Sequence, residues 1–239
     1  MNAEINKTIV VTGGTKGIGK AIIEAFMEEG FSVCTCSRNM EELDELKSTL
    51  ELKYPGQIVN VMKADLSDKS ACIAFGSFVH TVFNKIDVLV NNTGFFTPGQ
   101  LLDEADGALE VMINTNLYSA YHISRFLLPS MVDAKTGHLF NLCSIASITP
   151  YKNGGSYSIS KYAMFGMTKV LREEMKEHNV RVTAILPGAT LTSSWEGVNL
   201  PGSRFMKPSD VGQAVFSCWK LSDHTVVEEL LLRPQLGDI

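Results

Sequence analysis

No apolar run in this sequence approaches membrane-spanning length, and its first residues, "MNAEINK", carry neither the basic start nor the apolar core of a signal segment. The chain is therefore expected to be soluble and cytoplasmic. Its cations form no stripe: 21 lysines and arginines are interspersed with 26 acids, for a net charge of −5. Binding a phosphate backbone needs clustered Lys and Arg, so a nucleic-acid partner is not expected. The five cysteines (Cys34, Cys36, Cys72, Cys143 and Cys218) lack metal-type spacing, and none of the five histidines stands four residues from another. Neither a metal site nor a redox motif is expected, and Cys34 and Cys36, alternating in a strand-like run, read as buried reduced thiols. Internal repeats, low-complexity tracts and linkers are also missing, which leaves one domain over residues 1–239.

What is present is 45% hydrophobic residues, enough for one large core. They fall in β-rich runs that alternate with stretches of helical period. The strand candidates are "TIVVT" (8–12), "FSVCTCS" (31–37), "IVNVMKA" (58–64), "IDVLVNN" (86–92), "HLFNLCS" (138–144), "VRVTAIL" (180–186) and "VEELLLR" (227–233). Near-continuous Val/Ile/Leu strands separated by helices predict an α/β fold: one doubly wound Rossmann-type domain, with a mainly parallel seven-stranded sheet and helices on both faces. Ligands of such sheets bind beyond the carboxyl ends of the strands. The polar clusters "NNTG", "CSIAS" and "LPGATLT" all fall at that edge, as does the stretch "VTGGTKGIGKA" after the first strand.

That glycine stretch has two readings. Gly14 to Lys20 fits most of a nucleoside-triphosphate loop, but Ala21 stands where a Ser or Thr should ligate magnesium. Gly13, Gly17 and Gly19 instead form a dinucleotide-type turn, where the backbone approaches a pyrophosphate and a helix N-terminus offers free N–H groups. At the end of the second strand, where an acid would grip ribose hydroxyls, stand Ser37 and Arg38, and Lys16 lies in the glycine loop. Two cations and a hydroxyl suit a 2′-phosphate, which favours NADP(H) over NAD(H). Asp65, after the third strand, reads either as an acceptor for an adenine amino group or, with Ser67 or Asp68, as a cap of the next helix.

In "SYSISKYAMFGMTK", Tyr157 and Lys161 are four apart and share one helical face. A nearby ammonium favours the phenolate and moves a tyrosine toward acid–base work. Ser144, at the end of the fifth strand, is placed to donate to the same substrate oxygen.

Taken together, "TGGTKGIG", "NNTG", "NTNLYSAY", "NLCSIAS", "YSISK" and "LPGATLT" resemble the motifs of the short-chain dehydrogenase/reductase family over essentially the whole chain. "NNTG" departs from the more usual NNAG at Thr93. The resemblance implies a catalytic tetrad of Asn116, Ser144, Tyr157 and Lys161, with Asn114 a nearby rival for the asparagine role. It also implies carbonyl reduction, with Tyr157 protonating the alkoxide, Ser144 polarising it, Lys161 lowering the tyrosine pKa and Asn116 positioning a water. The cofactor set expected with it comprises Gly13, Thr15, Lys16, Gly17, Ile18 and Gly19, then Ser37, Arg38, Asp65 and Leu66, then Asn92, Thr93 and Gly94. Tyr157, Lys161, Pro187, Gly188, Thr190 and Thr192 complete it. Family members are commonly dimers or tetramers, so a homo-oligomer is expected.

Residues 189–207, most of them within "TSSWEGVNLPGSRFMKP" (192–208), read either as a substrate lid or as an amphipathic helix packing Trp195 into the core. The expected substrate wall is Ser144, Tyr157, Phe95, Tyr151 and Trp195, with Phe96, Ile145, Phe205 and Met206 nearby. The tail and "PGATLTSSW" are similar to those of bacterial sepiapterin reductases, which implies a pterin side-chain carbonyl as substrate, with Glu196 or Asp238 facing the amino-pyrimidine edge. The alternatives are a 3-oxoacyl thioester reductase, a 3-hydroxy acid dehydrogenase and, remotely, a non-catalytic NADP(H) sensor.

Overall fold

The computed structural model describes residues 7–195 and 197–239. Its strands are β1 (Thr8–Thr12), β2 (Ser32–Ser37), β3 (Val59–Lys63), β4 (Val88–Asn91), β5 (His138–Leu142), β6 (Arg181–Pro187) and β7 (Glu229–Leu232). All seven predicted strands are present: β1 keeps its predicted bounds, β6 begins and ends one residue later, and the others are shorter by one or two residues at an end. Every pairing is parallel, in the order β3-β2-β1-β4-β5-β6-β7.

The helices are α1 (Gly17–Met27), α2 (Met40–Lys53), α3 (Lys69–Val82), α4 (Ala108–Ile113), α5 (Ser119–Ala134), α6 (Gly155–Met175) and α7 (Pro208–Lys220). Strand side chains alternate between the two faces and so feed separate cores on either side of the sheet. Ile9, Val11, Val33 and Val90 pack with Ile22, Phe26, Leu50, Val215 and Phe216 from α1, α2 and α7. Their neighbours Val10, Cys34, Cys36 and Leu89 pack with Phe75, Val79, Ile123 and Leu127 from α3 and α5. All five cysteines are free and buried, as the sequence predicts for Cys34 and Cys36, and burial pushes the Cys36 thiol up to about 12. Among the described residues no helix is long and apolar enough to cross a membrane, and no cluster of metal-ligating side chains is found.

The strand order reverses direction between β1 and β4, where crossovers leave toward opposite sides and open a crevice at the carboxyl edge. The glycine turn after β1 and the "NNTG" turn after β4 flank this crevice. Between α4 and α5 the helix widens into a π-helical turn over Asn114–Tyr118, and such turns often mark functional sites.

Candidate active site

The glycine turn is built by its neighbours across the crevice. Gly13 has φ +68°, a left-handed conformation that side chains disfavour, and its N–H donates to the Cys36 carbonyl at 3.0 Å. Asn92 donates from its amide to the carbonyls of both Thr12 and Gly13 at 2.9 Å. A Cβ at Gly19 would stand 2.4 Å from that same amide. The Thr12 hydroxyl accepts from the backbone N–H groups of Asn92 and Thr93, each at 3.0 Å. The side chain of Asn92, expected at the cofactor, is thus committed to locking the turn. The residue before α1, Lys16, makes no side-chain cap hydrogen bond to the helix's first amides, which leaves these donors to other acceptors at the glycine turn. Thr192 closes over the turn, since a Cβ at Gly17 would lie 3.0 Å from its methyl. Thr190 is buried, with its hydroxyl on the Gly188 carbonyl at 3.0 Å, and Gly188 donates to Leu232 at 2.8 Å.

Beside the end of β2 the Lys16 ammonium forms an ion pair with Glu42 of α2 at 2.8 Å. Thr15 also donates to Glu42, at 3.1 Å, and lies 3.5 Å from Ser37. An acid therefore does stand beside this position, brought in from the next helix instead of from the strand. Asp65 accepts from the backbone N–H of Ser67 at 3.1 Å and from its hydroxyl at 2.8 Å, while Asp68 caps α3. Leu66 is buried in the core with its carbonyl accepting from Cys72.

The four residues of the implied tetrad converge on the same edge. Asn116 is fully buried in the π-helical turn, whereas Asn114 is only half-buried. Its amide bridges the backbone of Phe95, accepting from the N–H at 2.9 Å and donating to the carbonyl at 3.1 Å. It also donates to Ser160 at 3.0 Å, which in turn donates to the Tyr157 carbonyl at 2.7 Å. Ser144 follows β5 and accepts from the Ala146 N–H at 3.1 Å. Tyr157 and Lys161 lie on α6, with the ammonium 5.8 Å from the phenol ring centroid and donating to the Leu142 carbonyl at 2.7 Å. Gly94 leaves the space between them open: a Cβ there would be 3.1 Å from the Asn116 oxygen and 3.5 Å from the Lys161 nitrogen.

Burial dominates the electrostatics. It raises the Tyr157 phenol above its ordinary value of 10.0, and Ser144 opposes that rise by hydrogen-bonding to the phenol oxygen. Lys161 is itself pushed down to about 8, by burial first, with Cys143 opposing.

A family model described as short chain dehydrogenase matches residues 7–201. The chain belongs to the short-chain dehydrogenase family. Its relatives include the sepiapterin reductase of Chlorobaculum tepidum, 30% identical over 237 residues that cover 97% of each chain. Among solved structures, the alcohol dehydrogenase of the archaeon Thermococcus sibiricus, complexed with 5-hydroxy-NADP, matches with a TM-score of 0.91 at 26% identity, covering 98% of both chains. L-sorbose reductase from Gluconobacter frateurii, complexed with NADPH and L-sorbose, matches with a TM-score of 0.87 at 26% identity, over 95% of this chain and 94% of that one.

Above the implied tetrad of this short-chain dehydrogenase lies an aromatic wall. Phe96 packs edge-on to Tyr157 at 4.9 Å and lies 6.3 Å from Tyr151, and both Phe95 and Ile145 are half-buried. The 189–207 segment is pinched at its base, where Leu191 donates to Met206 at 2.9 Å and Met206 to Ala189 at 3.0 Å. Between these lie two single 3₁₀ turns (Ser193–Trp195 and Gly202–Arg204) instead of an amphipathic helix, and Trp195 packs on Phe205 at 5.2 Å. Of the two acids considered for a pterin ring, Asp238 is spent on an ion pair with Arg233, and Glu196 lies outside the described residues. Two acids carried no signal in the sequence: Glu42, and Glu104, whose carboxylate accepts from both the backbone N–H and the hydroxyl of Ser156 at the start of α6.

Proposed function

We propose that this chain is an NADP(H)-dependent carbonyl reductase, in which the dinucleotide supplies the hydride and Tyr157 the proton. The observation that carries the reading is the convergence of Ser144, Tyr157 and Lys161 beside a glycine turn that is held open at a crevice. The N-terminus of α1, with Gly13, Thr15, Gly17, Ile18 and Gly19, would hold the pyrophosphate. Lys16, Ser37 and Arg38 would receive the 2′-phosphate, and Asp65, Leu66, Thr93 and Gly94 would line the adenosine and ribose side. Pro187, Gly188, Thr190 and Thr192 would wall the nicotinamide end.

Ser144 holds the substrate oxygen and stabilises the charge that develops on it, as preorganised donors do. Tyr157 hands its phenolic proton to that oxygen, its burial keeping the proton in place until then. Lys161 stands beside the phenol with its ammonium and would hold the nicotinamide ribose, and Asn116 fixes the Phe95 backbone and, through Ser160, the first turn of α6. The substrate we infer is a compact carbonyl compound under the Phe95, Tyr151 and Trp195 wall. A pterin side-chain carbonyl comes first, supported by the similarity to the Chlorobaculum tepidum enzyme. The segment 189–207 serves as its lid, and residues 1–239 act as one domain. Exposed Ile159, Tyr162 and Val170 on α6 support a homo-oligomer, and a cytoplasmic location fits the reduced cysteines.

The test is NADPH consumption by purified protein with sepiapterin, an acetoacetyl thioester and other carbonyls. Replacing Tyr157→Phe is expected to lower turnover by about a hundredfold or more while NADPH affinity stays nearly intact. Preserved turnover would sink the mechanism, and no consumption with any carbonyl would favour a non-catalytic sensor.

A further inference from the structure

We propose that Glu42 sets the discrimination between NADPH and NADH, because its carboxylate is the resident anion of the pocket a 2′-phosphate would enter. The inference rests on the dinucleotide reading above and goes beyond it. Three donors close around this carboxylate. Lys16 reaches it at 2.8 Å, Thr15 at 3.1 Å, and the Asn39 side chain at 3.1 Å. Lys16 and Thr15 belong to the glycine turn, Asn39 follows β2, and Ser37 joins the cage through Thr15 at 3.5 Å and the Asn39 N–H at 3.4 Å. The Lys16 hydrogen bond, ahead of those from Thr15 and Asn39, holds the carboxyl below its ordinary value, so it is ionised at neutral pH.

The cations that suit a 2′-phosphate are thus arranged around a negative charge already in place. A phosphate monoester brings about two more negative charges, and it enters only when Glu42 lets go of Lys16. A ribose 2′-hydroxyl has the opposite relation to the same carboxylate, to which it donates. Lys16 and Arg38 therefore favour NADPH while Glu42 favours NADH, and the preference is the difference between them. The pair is exposed enough to part easily, with side-chain exposures of 64% for Lys16 and 28% for Glu42.

Direct titration of the full-length protein with NADPH and with NADH, at one ionic strength, tests this. Glu42→Gln keeps the shape of the side chain and removes its charge. It is expected to raise the ratio of NADPH to NADH affinity by about threefold to tenfold, with an unchanged melting temperature. An unchanged or lowered ratio overturns the proposal, because Glu42 would then only hold Lys16 in position. Arg38→Ala separates the two levels of inference: it should weaken NADPH far more than NADH. Equal losses in that variant, or wild-type protein that binds neither nucleotide, overturn the dinucleotide reading and this proposal with it.

Discussion

Lys161 is enclosed by protein, and burial brings its ammonium down to about 8 while Cys143 pulls the other way. The phenol four residues before it is raised by the same cause. Over the neutral and mildly alkaline range it is therefore the lysine, not the tyrosine, that changes charge. For the free enzyme this predicts a one-proton fall in kcat/KM for carbonyl reduction as pH rises through about 8. A pH–rate profile that stays flat to roughly pH 10 would show that the Lys161 ammonium does not titrate near 8. The residue types were legible in the sequence, because a Tyr and a Lys four apart must share a helical face. The direction of the tyrosine shift was not legible: it depends on how much protein surrounds the phenol, which no spacing records.

The helix α6 shows how an element is aimed. Its first turn is tied down by Glu104, which accepts from the Ser156 N–H at 2.9 Å and from the Ser156 hydroxyl. The adjoining loop adds a bridge between Gly99 and Gly154. A carboxylate at a helix N-terminus satisfies an orphan donor and suits the helix dipole, and here the helix carries Tyr157 one residue further on. Glu104→Ala is expected to cost about 1 kcal/mol of stability, the worth of a lost cap. It should also lower kcat by about tenfold to a hundredfold through a misplaced phenol, with the affinity for NADPH unchanged. Partial rescue by Glu104→Gln, which keeps an acceptor, is the readout a merely structural role would not give. Asn39 caps α2 and Pro208 opens α7, each beside its own helix in the chain. The acid at the start of α6 comes instead from a distant polar loop, where its spacing gives no signal.

For the molecule as a whole, His138 links acidity to stability. It begins β5, is fully buried, and its Nε2 lies 2.8 Å from the Thr183 hydroxyl oxygen. Thr183 gives its own proton to the Val227 carbonyl at 2.6 Å, so Nε2 carries the imidazole proton and Nδ1 is left without a partner among the described residues. Burial first, then the nearby Arg181, push the imidazole well below its ordinary value of 6.5. The unfolded chain therefore takes up a proton near pH 6.5 that the folded chain refuses. Stability is full above that pH and falls below it, by at most about 1.4 kcal/mol per pH unit for this one group. Denaturant unfolding of wild type and His138→Gln should show the variant losing less stability as the pH is lowered below 6.5; parallel curves would clear His138 of the effect.

The sequence by itself determined the seven strands, their parallel arrangement and the edge at which the polar motifs gather. Strand periodicity, helix spacing and the right-handed crossover are local rules, and each can be read within a few dozen residues. Only the tertiary structure decided which charges meet there: Lys16 with Glu42, Ser156 with Glu104, Arg233 with Asp238. A charged side chain in a polar stretch has no periodic signature. Its partner is fixed by how α2, the loop before α4 and the C-terminal tail are carried back over the crevice, and by the need to satisfy buried or half-buried donors once they arrive.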